Sequence, residues 1–112
     1  MIFCMIDYIK VHELIGLRLF YNEHYFGEQP DGEESYWQPL TEELSKDPSE
    51  TISLWETLSK EEFFVTLEVL DEVIQNTQSH DIINAVRRIG KEKEIDDNLL
   101  EIIIKQAECW FD

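Results

Sequence analysis

Apolar residues recur along this chain with a helical period, most clearly between Ser59 and Asn76. At 3.6 residues per turn, Phe63, Leu67, Leu70 and Ile74 fall on one narrow stripe, and Thr66, Val69 and Val73 widen it to one side. Glu61, Glu68 and Glu72 fall opposite, on a face expected to meet water. Ser59 followed by Glu62 forms a capping box, in which the hydroxyl and the carboxylate each accept from an orphan backbone N–H. So apolar a helix is expected to sit inside a stack, with neighbours on more than one side and an acidic ridge on the remaining one.

The preceding pattern is less uniform. Cys4, Tyr8, Val11, Ile15, Leu19 and Phe26 fit a helical stripe, while Leu14, Leu17, Phe20, Tyr21 and Tyr25 spread apolar surface around it. A buried helix fits this best, with Gly16 as a weak point or a close-packing site. Ile9 and Val11 also alternate with Lys10 and His12, so a pair of N-terminal strands stays open as the alternative. Gly27 to Pro39 reads as a loop, since it holds two prolines, the Asp31-Gly32 turn pair, and Glu33-Glu34 beside Tyr36-Trp37.

Thr41 to Lys46 is expected to form a short helix. Asp47 then caps another, with Pro48 at its first position and Glu50 in its first turn. Ile52, Trp55 and Leu58 make its apolar side, and Trp55 reads as a core residue. Ser79 or Asp81 opens the next helix, which carries Ile82, Ile83, Val86 and Ile89, with Gly90 placed to end it. Lys91 to Glu94 is a charged turn. Asp96 to Asn98 caps the last helix, whose apolar spacing runs through Leu99, Ile102, Ile103, Gln106 and Trp110. The connections are short, so the predicted fold is all-α: a single domain, 1–112, of stacked antiparallel helical hairpins. An α+β arrangement is the alternative if the first segment forms strands.

Composition adds charge to this picture. The apolar fraction of 43% suffices for a core, while the formal net charge is −16. Between Leu19 and His80 there are fifteen acidic residues and two lysines, a net of −13, whereas the first 18 residues are neutral. Arg87, Arg88, Lys91 and Lys93 nearly offset the acids around them. The field therefore belongs to the loop around Glu33 and the helices that follow. It disfavours nucleic acid and anionic membranes as direct partners and favours a basic protein. A solvated surface that serves only solubility explains the same charge.

Candidate chemistry is sparse. An EF-hand counted from Asp31 fails, because Tyr36 stands where the loop requires glycine and Pro39 falls at the ninth position. His12-Glu13 and Glu23-His24 lack metal-ligand spacing. Cys4 and Cys109 show no paired spacing and read as small core residues of a reducing compartment. Phosphate-cradling loops and nucleophile elbows are absent from the sequence. No cofactor, metal or catalytic residue is expected. Without a basic n-region or a membrane-length apolar run, a cytoplasmic location is expected.

Asn84-Ala85-Val86-Arg87-Arg88-Ile89-Gly90, before a charged turn and another apolar helix, resembles the end of a HEAT-type repeat. In that register 59–76 is the first helix of a repeat, 79–89 its partner and 97–111 the opening of the next, a short and irregular array. Small size, acidity, unpaired cysteines and helical hairpins together resemble the immunity proteins of contact-dependent inhibition and related polymorphic toxin systems. That resemblance implies tight binding to one cognate toxin domain, usually a nuclease with a basic surface. It transfers no site residue.

From the charge pattern, the expected partner-binding residues are Asp31, Glu33, Glu34 and Trp37 in the loop, with Glu61, Glu68, Asp71 and Glu72 on the central helix. A DNA mimic or anti-defence protein, and a helical adaptor for peptides, are the competing expectations.

Overall fold

The computed structural model describes residues 6–24 and 37–112, the side chains of 21–24 excepted. Among these residues every regular element is helical: α1 (Tyr8–His24), α2 (Trp37–Leu44), α3 (Pro48–Thr57), α4 (Lys60–Thr66), α5 (Leu70–Thr77), α6 (His80–Glu92) and α7 (Asp97–Glu108). The fold is all-α, and residues 8–24, which had left a strand pair open, are a helix.

Local chemistry explains most helix starts. Asp47 accepts from the backbone N–H of Ser49 and Glu50 ahead of Pro48, as its sequence position predicts. Ser59 and Glu62 form the capping box, the Ser59 N–H donating to Glu62 at 2.8 Å and the Glu62 N–H to the Ser59 hydroxyl at 3.2 Å. Ser79 and Asp96 cap α6 and α7 through the N–H groups of Ile82 and Leu99.

The helix expected over 59–76 is broken in the middle. A single 3-10 turn, Leu67–Val69, joins α4 to α5. Leu67, Val69 and Leu70 are all buried across this break. The tighter turn keeps these consecutive apolar residues facing neighbours on different sides. The whole predicted stripe is buried, Phe63, Val69, Leu70, Val73 and Ile74 completely.

Two other boundaries differ from expectation. Trp37, Gln38 and Pro39 belong to α2 rather than to a loop. Pro39 is tolerated because first-turn N–H groups have no intrahelical acceptor to lose. Gly90 lies inside α6, which runs on to Glu92, and a Cβ there would stand 2.7 Å from both methyl carbons of Leu100. Its role is the close approach of α6 and α7. A Cβ at Gly16, in contrast, would meet nothing within 4 Å among the described residues, so it is not a close-packing site there.

One apolar cluster runs through all the helices, with Trp55 and Phe63 at its centre in an edge-to-face contact of 5.6 Å. Helix α1 packs on α2 and α4, α2 on α5, α3 on α6, and both α5 and α6 on α7. On α7 the buried set is Leu100, Ile104 and Ala107. Of the expected stripe, Leu99, Ile102 and Trp110 are exposed and only Ile103 leans on the core. Cys109 is exposed as well, contrary to its reading as a core residue, while Cys4 lies outside the described residues. Among the described residues no helix is long and apolar enough to cross a membrane.

Candidate protein-interaction face

Helix α1 lies against the expected acidic ridge. Arg18 grips Glu68 with two hydrogen bonds, Nε to Oε1 and Nη2 to Oε2, each 2.9 Å. His12 Nδ1 stands 3.7 Å from Glu62. Both pairs join residues fifty apart, so α1 runs in the same direction as α4 and keeps register with it.

The start of α1 is held by two carboxylates that sequence reasoning missed. Glu50 accepts from the Ile6 N–H at 2.8 Å, and Glu43 accepts from the Asp7 N–H at 2.9 Å. These are N–H groups at the positive end of a helix, where a carboxylate is favoured. Glu43 is almost fully buried, yet Lys46 donates to both its oxygens at 2.9 Å and Lys10 stands 3.7 Å away. Burial alone pushes its pKa up. The Asp7 N–H and the two lysines outweigh burial and hold it below the ordinary 4.5. Only the four-residue offset from Asp47 and the lone Lys46 hinted at this in sequence, and neither names a partner so distant along the chain.

The predicted contact residues divide accordingly. Glu61 is exposed on α4. Glu68 is half-buried and engaged by Arg18, so it is a structural link rather than a solvated ridge residue. Asp71 and Glu72 are half-buried on the first turn of α5. Trp37 is half-buried, packed against the core from the start of α2. Asp31, Glu33 and Glu34, with most of the expected loop, lie outside the described residues.

Glu72 is unusual within this set. Its Oε2 is shielded from solvent and has no hydrogen-bond donor among the described residues. A carboxylate oxygen removed from water without a donor is costly, and a cation at the open side of the group would offset that cost.

Several of the chain's own cations are committed elsewhere. Arg87 pairs with Glu101, Arg88 with Glu56 and Glu92, and Lys60 donates to the Glu94 carbonyl at 3.1 Å. Lys93 donates to the Leu58 carbonyl. Glu61, Asp71 and Glu72 have no ion-pair partner among the described residues. Glu61 is exposed on α4, and Asp71 and Glu72 are half-buried on α5 beyond the 3-10 turn. Among the described residues no group of three or more His, Cys, Asp or Glu side chains is arranged to hold a metal ion.

No family model, curated protein or solved structure matches this chain.

Proposed function

We propose that the chain is a non-catalytic binding protein that neutralises a basic protein partner, as an immunity protein neutralises its toxin. The observation that carries this reading is the carboxylate set Glu61, Asp71 and Glu72, none of which has an ion-pair partner among the described residues. Glu61, the exposed member of the set, is the one an arriving lysine or arginine reaches most directly.

A nuclease toxin fits this chemistry, because its substrate cleft must be cationic to hold phosphates. Carboxylates laid over that cleft stand in for phosphates and exclude the substrate. The net charge of −16 speeds the encounter with such a surface. The protein would then act in the cytoplasm, where a cell must protect its own nucleic acid.

A DNA mimic shares the physics and requires a regular carboxylate track. Glu62 is occupied by the Ser59 N–H and Glu68 by Arg18, and these interruptions favour a discrete contact over a continuous mimic. The test is whether a neighbouring reading frame encodes a toxin domain and, with that domain in hand, co-expression of the two. Restored growth supports the reading; toxicity that persists despite soluble, folded protein rejects it.

A further inference from the structure

We infer that Phe64 is the apolar anchor of the acidic face, and that the face receives a basic amphipathic helix of the partner. This rests on the proposed function and specifies what kind of segment docks there.

Phe63, Val65, Thr66 and Leu67 are all buried, whereas Phe64, in the midst of this run, turns outward and is 36% exposed. Glu61 precedes it by three residues, a spacing that shares a helical face, while Glu68, four residues on in the 3-10 turn, is already taken by Arg18. Asp71 follows by seven, beyond the 3-10 turn. The cation four residues before Phe64 is Lys60, whose ammonium is drawn to the Glu94 carbonyl. On α1, Arg18 is held by Glu68 and Lys10 stands by Glu43. The register of α1 on α4 sets half-buried Leu14 level with Phe64, so the apolar centre continues toward the seam between the helices.

An exposed aromatic within a rim of carboxylates matches the anatomy of a protein interface, in which a ring supplies buried area and charges exclude wrong partners. Its complement needs an apolar group to cover the ring and cations on either side to meet the rim. One face of a lysine- or arginine-rich amphipathic helix provides both at helical spacing. Nucleic acid and anionic lipid carry the wrong charge. A purely apolar peptide would leave the carboxylates desolvated and unpaired.

The probes are a synthetic Lys/Leu amphipathic helix and an equally charged Lys/Ser peptide, titrated into the full chain. The Lys/Leu peptide is expected to bind about tenfold more tightly. Phe64→Ala removes that preference and Phe64→Tyr keeps it, both with an unchanged circular dichroism spectrum. Equal binding of the two peptides, or a preference that survives Phe64→Ala, overturns the inference. The double variant Glu61→Lys/Asp71→Lys separates this from the broader reading. If it weakens both peptides while Phe64→Ala does nothing, the acidic face stands and the anchor falls. If it changes neither, both fall.

Discussion

Leu100 occupies the space that a side chain at Gly90 would need, its two methyl carbons 2.7 Å from the position of a Cβ there. Gly90→Ala would ordinarily favour a helix interior by up to about 1 kcal/mol. Here the added methyl meets a fully buried leucine, so the variant is expected to lose about 1–2 kcal/mol from overpacking. Leu100→Ala alone leaves a cavity and costs about 2–5 kcal/mol. The double variant is expected to cost less than the sum, because alanine at 90 enters the vacated space. Urea unfolding of the three variants measures this non-additivity.

The bridge from Arg18 to Glu68 ties α1 to the centre of the molecule. Both side chains retain some exposure, 15% and 28%, so solvent screens part of the interaction. A double-mutant cycle with Arg18→Ala and Glu68→Ala is expected to give a coupling of about 0.5–1 kcal/mol. Amide exchange along α1 should rise more than along α6, since α6 has its own pairs with Glu56 and Glu101.

Acid should loosen α1 first. Glu43 has a depressed pKa: burial opposes its charge, and the Asp7 N–H, Lys46 and Lys10 more than compensate. The Ser59 N–H, opposed in part by burial and helped by the Ser59 hydroxyl and His12, depresses Glu62 in the same way. A folded-state pKa below the unfolded one adds stability that is complete above the ordinary value of 4.5 and is lost as pH falls through the lowered pKa. Unfolding free energy should therefore decline with acidification below about 4.5, and Glu43→Gln should flatten that slope while lowering stability at neutral pH.

Gln78 clasps the end of the chain. It occupies a left-handed backbone conformation at φ 53°, and its side chain donates to the Trp110 carbonyl at 2.8 Å and accepts from the Asp112 N–H at 2.9 Å. His80 stacks on Phe111 at 3.9 Å beside it. Gln78→Gly suits the backbone and removes both side-chain bonds. Its global stability is expected to stay within about 1 kcal/mol of the parent, while the Asp112 amide exchanges faster. Unaltered exchange at Asp112 would show that the clasp does not order the tail.

What could be read from sequence was set by locality. Asp47-Pro48 and Ser59 with Glu62 act within one helical turn, and each does what its residue chemistry predicts. The core stripe from Phe63 to Ile74 was legible because its apolar residues keep helical spacing over about three turns, although Val65, on the far side of the segment, is buried too. Helix α7 is apolar on two faces, and both Leu99-Ile102-Trp110 and Leu100-Ile104-Ala107 follow helical spacing, so periodicity could not tell which one meets α5 and α6. Gly90 and Pro39 carry turn chemistry in isolation, and tertiary packing and first-turn geometry overrule it. The acidic ridge was legible as charge, but the engagement of Glu68 depends on Arg18, fifty residues away.

The central claim is that Glu61, Asp71 and Glu72 meet a basic partner. It is tested most directly by the affinity of the chain for its basic partner domain, captured by pull-down and purified, across a salt series. Wild-type binding should weaken steeply with salt, and Glu61→Lys/Asp71→Lys/Glu72→Lys should lose at least about tenfold in affinity and most of that salt dependence. A folded triple variant that binds with unchanged affinity and unchanged salt dependence would contradict the account.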